Sequence, residues 1–270
     1  MDAHERNNTE GKDEIERIKE DIEKSGFPLE IEVSQILEMH GWKANNQQYY
    51  LDQDEGKRRT IDIIAHVADH SQVGDYTPFH VSLVIECKSS SKPWVFWTTQ
   101  KDKEIFSFPI TLVKHWARPR GITAERKMYD DWLKWMPYSH IYSPDLNRVA
   151  VIHYEPFKEG KGHEIFEASN QVIKALSFIL TRFKESALKL PNLYPLFVLY
   201  PVIVYDGHLF DLRIENGESR LFPTQYSQYS TSTLEEFFLI DVIKKEFFSA
   251  YLEKLNTEMD KMKNELKKQA

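Results

Sequence analysis

The sequence predicts an α/β protein: a mixed sheet flanked by helices, with helical ends and a tryptophan-rich insertion. Three observations predict it. Short β-branched runs at 60–65 and 81–88 have the composition of strands, and each holds a single acid, Asp62 or Glu86. Stretches at 13–24, 28–40 and 169–184 repeat apolar residues with a helical period. Asp206-Gly207 sits between two further strand-like runs, the composition of a tight hairpin turn.

Taken in order, residues 13–24 (DEIERIKEDIEK) space Ile15, Ile18 and Ile22 for one helix face, with acids toward the start. Ser25-Gly26-Phe27-Pro28 breaks that helix, and a second one runs over roughly 28–40. Pro28 suits its first turn, Ile31, Val33, Ile36, Leu37 and Met39 are its apolar positions, and Gly41 ends it. Tyr49–Leu51 is a short strand, followed by Thr60–Ala65 and Val81–Lys88. The stretch 92–148, with Trp94, Trp97, Trp116, Trp132 and Trp135, reads as an irregular or helical insertion. Gln100 would open a helix there. Val149–Tyr154 is expected as a strand and Ser169–Lys184 as an amphipathic helix that Asn170 would cap. Leu196–Tyr205 and Leu209–Arg213 would pair as a hairpin, and the polar residues 217–233 would form a linker or loop. The end, 234–268, is expected to be helical. Phe248, Leu252, Leu255, Met259, Met262 and Leu266 follow a heptad of under three repeats. Packing on its own domain and pairing with another helix both stay open.

Composition narrows the class. The 270 residues suffice for one large domain or one domain with appendages, and 41% are hydrophobic at a mean hydropathy of -0.53. No apolar run approaches the roughly 18 residues of a membrane span. The charged start lacks a stretch of signal-peptide type, and the lone Cys87 excludes an internal disulfide framework and a cysteine-based zinc site. A cytoplasmic location is the default expectation. The net charge of -7 is unevenly spread: nine acids against five bases in residues 1–24, but nine bases against three acids in 87–127. Local charge governs phosphate affinity, although a basic run can also be a solvated face.

Glu-x-Lys occurs six times in the chain, and only Glu86/Lys88 ends a run that would be a buried strand. Residues two apart on a strand share a face, so Glu86 and Lys88 project together. A sheet interior does not bury such charges unless they pair or hold a ligand. Asp62 is the same anomaly 24 residues earlier. Two carboxylates on adjacent strands offer the hard oxygens that suit Mg²⁺ or Mn²⁺. The competing readings are ordinary: Asp62 paired to Arg58 or Arg59, Glu86 and Lys88 paired to neighbours, and Glu30 as a first-turn helix acid.

The order Gly26-Phe27-Pro28-Leu29-Glu30, Gly41-Trp42, Arg59-Thr60-Ile61-Asp62-Ile63 and Ile85-Glu86-Cys87-Lys88 resembles the PD-(D/E)xK nuclease superfamily. Its Mrr-like and Holliday-junction-resolvase-like branches are the most similar. Ile61 stands where the motif's name has proline. The resemblance implies a restriction-endonuclease-like αβββαβ core within residues 26–216, an N-terminal helical extension at 1–25, and a linker and C-terminal helix at 217–270. It implies that Asp62 and Glu86 ligate Mg²⁺ or Mn²⁺ with the Cys87 carbonyl, and that Lys88 positions or activates water. Glu30 would serve a second metal or its water, with Glu32 as its rival.

The function expected from this is metal-dependent hydrolysis of DNA, with RNA as an alternative substrate, in a role such as defence against foreign DNA. Lys57, Arg58, Arg59, Lys92, Gln100 and Lys101 are the candidate nucleic-acid contacts. A homodimer through the terminal helices would suit double-strand cleavage. A non-catalytic DNA-binding scaffold and a partner-activated effector subunit are the alternatives.

Overall fold

The computed structural model describes residues 14–23, 25–70, 79–100, 113–115, 148–157, 163–188, 196–232 and 237–268. Helix α1 (14–23) exposes Ile15, Ile18 and Ile22, and α2 (Phe27–Met39) follows. Leu29, Val33 and Leu37 are the apolar residues α2 buries, whereas Ile31 and Met39 are exposed. Its end is fixed by Gly41 at φ +81°, which lets the Trp42 amide reach the Leu37 carbonyl at 2.9 Å. The buried Trp42 indole then donates to Asn256, whose amide returns to the His40 carbonyl.

Three antiparallel strands come next, each longer than its apolar run: β1 (Lys43–Asp52), β2 (Lys57–Asp69) and β3 (Phe79–Ser89). The remaining strands are β4 (Trp94–Gln100), β5 (Val113–His115), β6 (Arg148–Tyr154), β7 (Leu196–Asp206), β8 (Leu209–Glu215), β9 (Glu218–Pro223), β10 (Tyr226–Ser232) and β11 (Phe237–Lys244). They form one mixed sheet in the order β1-β2-β3-β7-β11-β10-β6-β4-β8-β9, with β5 on β7. Helix α3 (Glu164–Leu188) precedes β7, which lies parallel to β3 over the full length of that strand. A 3-10 turn at Lys245–Phe247 leads into α4 (Phe248–Lys267).

The sheet separates two cores. α2 and α4 cover one face with Leu29, Val33, Leu37, Phe248, Leu252 and Met259, while α3 covers the other with Ile165, Val172, Leu176 and Leu180. The protein is therefore α/β with a large mixed sheet and four helices among the described residues.

Several expectations change. The insertion opens with β4, where the buried Trp94 stacks on Tyr205 with centroids 4.0 Å apart. Gln100 is the last residue of that strand, and the helix expected after it, with Lys101, Trp116, Trp132 and Trp135, lies outside the described residues. Helix α3 starts five residues before Ser169, because Glu155 accepts the Ile165 amide at 2.9 Å, so Asn170 caps nothing. β7 and β8 form no hairpin, since β7 pairs with β3, β5 and β11, and β8 with β4 and β9. Gly207 serves close approach: a Cβ there would stand 2.6 Å from the Ser90 carbonyl oxygen. The supposed linker is β9 and β10, and 237–244 is a strand between β7 and β10. Five of the heptad residues, Phe248 to Met262, are buried in the chain's own core, so self-packing accounts for the repeat. Those five residues offer no seam for a second copy. No described helix is long and apolar enough to cross a membrane.

Candidate active site

The site forms where β2 and β3 part. Their pairing ends at Ile63 opposite Ile85, and the same register would next set Asp62 opposite Glu86. There the Asp62 side chain replaces the ladder, its Oδ2 accepting the Cys87 amide at 2.8 Å. On its other edge β2 keeps a constant register with β1, yet Gln47, the residue facing Asp62, forms no pair and adopts φ +49°. Both strands change face across this point. Ala44, Ile63 and Ala65 pack into the α2/α4 core, whereas Tyr50 and Ile61, of the same parity on their strands, pack into the α3 core. A strand that kept strict alternation could not do this. The left-handed Gln47 is the visible cause in β1.

Around this kink stand four charged groups. Glu86 is 1% exposed, and its Oε1 accepts from Lys88 Nζ at 2.7 Å. Its Oε2 is buried and has no hydrogen-bond partner among the described residues. Burial, then the Asp62 charge, push the Glu86 carboxyl up to about 7 against the pull of Lys88. Asp62 is raised by burial, against its Cys87 hydrogen bond and Lys88. Glu30, on the first turn of α2, is also raised by burial and by Asp62, while a hydrogen bond from Gln47 Nε2 at 2.5 Å opposes this. Burial works against the Lys88 ammonium, but Glu86 and Asp62 outweigh it and hold the lysine above its ordinary value. The Cys87 side chain joins the α2/α4 core, and burial pushes its thiol well above the usual range.

The chain matches no family model, no curated protein and no solved structure.

Glu30, Asp62, Glu86 and Lys88 thus belong to one electrostatic cluster. Glu32, Glu30's rival, is turned to Lys245 at 3.4 Å. The three carboxylates and the unpartnered Glu86 oxygen fit a hard divalent cation in chemistry and charge. As the side chains stand, Lys88 fills the position beside Glu86 Oε1. No three His, Cys, Asp or Glu among the described residues converge closely enough to enclose an ion.

The candidate nucleic-acid contacts divide. Lys57 and Arg59 are engaged at the β1–β2 turn, Lys57 with Glu55 and Arg59 with both Glu55 and the buried Asp52. Arg59 therefore does not serve Asp62. Arg58 and Gln100 are exposed, Lys92 is half-buried, and most of the basic segment lies outside the described residues. Gln47 was invisible in the sequence as a site residue, because a glutamine in the polar run Asn45-Asn46-Gln47-Gln48 carries no signal of its backbone angle or of its contact with Glu30.

Proposed function

We propose that the chain is a divalent-metal-dependent nuclease that hydrolyses DNA phosphodiester bonds on a restriction-endonuclease-like core. The observation that carries this reading is the gathering of Glu30, Asp62, Glu86 and Lys88 at the point where β2 and β3 part, with one Glu86 oxygen buried and unpartnered. The chain order supports it in part: α2 and three antiparallel strands are followed, after the intervening β4, β5 and β6, by α3 and a β7 parallel to β3.

Asp62 and Glu86, with the Cys87 carbonyl, would hold Mg²⁺ or Mn²⁺. Bound there, such an ion lowers the pKa of an attacking water and neutralises charge on the phosphate. The chain's own residues supply the rest. Lys88 holds its proton near neutral pH, so its part is to grip a water or a phosphate oxygen by a charge-assisted hydrogen bond, not to accept a proton. Glu30, oriented by Gln47, is the carboxylate left to accept one. The exposed Arg58 and the partly exposed Lys92 would contact phosphates.

A second reading has one observation in its favour. Lys88 lies on Glu86, the arrangement of a site that stays closed until substrate or a partner draws the lysine away. Cleavage of supercoiled plasmid with Mg²⁺ or Mn²⁺ separates the two. The native chain is expected to nick DNA, and Asp62→Ala and Lys88→Ala to abolish nicking. No cleavage by the folded native chain would favour a partner-activated subunit or a DNA-binding scaffold. Cleavage that survives both substitutions would refute the site.

A further inference from the structure

Among the described helices, α1 alone has every residue exposed, and Ile15, Ile18 and Ile22 on its apolar face are 55%, 52% and 47% exposed. One end of it is nevertheless fixed. The Ser25 amide donates to the carbonyls of Asp21 (3.1 Å) and Ile22 (3.0 Å). Ser25 Oγ donates to the Ile22 carbonyl at 2.6 Å and accepts the Phe27 amide at 3.3 Å. Ser25 thus closes α1 and starts α2. Isolated helices under roughly 12–15 residues are marginal in water, and an amphipathic helix draws most of its stability from whatever covers its apolar face. No described residue buries this face, since α2 and α4 turn their apolar stripes to the sheet.

The charges of α1 select what can cover it. Five acids (Glu14, Glu16, Glu20, Asp21 and Glu23) against two bases (Arg17 and Lys19) give it a net charge of -3. That disfavours nucleic acid and an anionic membrane surface. The isoleucines step by 3 and then 4, so Ile15 and Ile22 are the a positions of a heptad and Ile18 is the d position. Lys19 then occupies e, and Glu14 and Asp21 occupy g, beside the apolar seam. Glu16, Arg17, Glu20 and Glu23 fall at b, c, f and b, away from it. In a parallel helix pair a g residue faces the e residue five places on in the other chain. Glu14 therefore meets Lys19 of a second copy, twice by symmetry. An antiparallel pair would instead set Glu14 beside Asp21 and Lys19 beside Lys19, like charge on like. On its own helix Lys19 makes a long, exposed contact to Glu16 at 3.9 Å, of a kind that contributes little.

We propose that α1 is a self-association helix, pairing in parallel with α1 of a second copy through Ile15, Ile18, Ile22 and the Glu14–Lys19 contacts. Both chains leave the pair at Ser25, which sets the two first turns of α2, each with its Glu30, at the same end. The proposal is independent of the nuclease reading.

The test is sedimentation equilibrium of the full chain from about 1 to 500 µM, because an interface of this size belongs to the weak class. A monomer–dimer equilibrium is expected. Ile18→Asp, at an exposed position, is expected to leave a folded monomer throughout. Glu14→Lys and Lys19→Glu are each expected to weaken the dimer about tenfold, since two attractive contacts become repulsive. An equimolar mixture of those two variants is expected to regain native affinity, because both contacts then join opposite charges. Residues five apart do not face each other on one helix, so recovery in the mixture reports contact between chains. Ile22→Cys is expected to form a disulfide-linked dimer on mild oxidation, since position 22 meets its counterpart only in the parallel arrangement; Cys87 is buried. A monomer at every concentration would overturn the proposal. So would a dimer that survives Ile18→Asp, a mixture no tighter than the separate variants, or a trimer in place of the dimer. A dimer in which Ile22→Cys does not cross-link would overturn the parallel arrangement.

Discussion

Glu86→Gln is expected to stabilise the metal-free protein at pH 8 and to leave it nearly unchanged at pH 5. Burial, then Asp62, raise the folded-state pKa of Glu86 from 4.5 to about 7. Between those values the folded state keeps a proton that the unfolded chain has released. Stability therefore falls as pH rises through this window, and the loss is complete above the folded-state pKa. The gap between 4.5 and about 7, at about 1.4 kcal/mol per pH unit, amounts to roughly 3 kcal/mol. Glutamine is neutral throughout and lacks this dependence. For a chain of this size the gain at pH 8 is roughly 6–12 °C in melting temperature. Thermal or urea unfolding from pH 5 to 8.5 in the presence of a chelator measures it. Added Mg²⁺ is expected to raise the native midpoint most at high pH and to do little for the variant, since a ligand stabilises only the state that binds it. A variant less stable than native at pH 8 but not at pH 5 would refute the reasoning, because the Lys88 pair would then outweigh the burial of Glu86.

Asp62→Asn keeps an oxygen to accept the Cys87 amide but removes the charge that, after burial, most raises Glu86. The Glu86 midpoint in a carboxyl NMR titration is expected to fall, and an unmoved midpoint would assign the whole shift to burial. Gln47→Gly and Gln47→Ala both remove the donor to Glu30, but only alanine must hold φ +49°. Urea unfolding is expected to find the glycine variant more stable by about 1 kcal/mol, and equal stabilities would mean that the backbone relaxes there. Gly207→Ala would set a Cβ 2.5 Å from the Tyr205 ring and 2.6 Å from the Ser90 carbonyl oxygen. A loss of about 1–3 kcal/mol or more is expected in the same assay, and a neutral effect would show that β7 can shift to make room.

The parts of the fold legible in the sequence are those where one local pattern has one outcome. Val81–Lys88 sets the β-branched Val81, Val84 and Ile85 in a mainly apolar run, and its only use is a strand buried on both faces. The heptad residues from Phe248 to Met262 specify an apolar helix stripe, although the stripe does not say whether sheet or second helix will cover it. Phe237–Lys244 failed because six apolar residues among eight, broken by Asp241, have no period that separates strand from helix, and an adjoining helix drew them in. Asp206-Gly207 failed for a different reason. A hairpin needs both flanking strands free to pair, and β7 is already bonded to β3, β5 and β11.

The carboxylate cluster and the cavity against α4 differ in the same way. Asp62 and Glu86 stand out because each breaks an apolar strand, and a charge that breaks a strand needs a partner wherever the strand lies. Their meeting follows from antiparallel pairing of neighbours in sequence: a register constant from Asp69–Phe79 to Ile63–Ile85 extrapolates to Asp62 opposite Glu86. That cavity, about 560 Å³ among β4, β6, β8, β10 and the start of α4, has no such local anomaly. Thr98, Arg148, Asp211, Arg213, Ser227 and Gln228 each look ordinary in their own strands, and the sheet order β10-β6-β4-β8 is what assembles them. That order depends on which distant strands remain unpaired once β7 has taken its partners, a property of the whole sheet. A cluster marked by charges within one β-meander can therefore be read from a single sequence, and a cavity walled by crossover strands cannot.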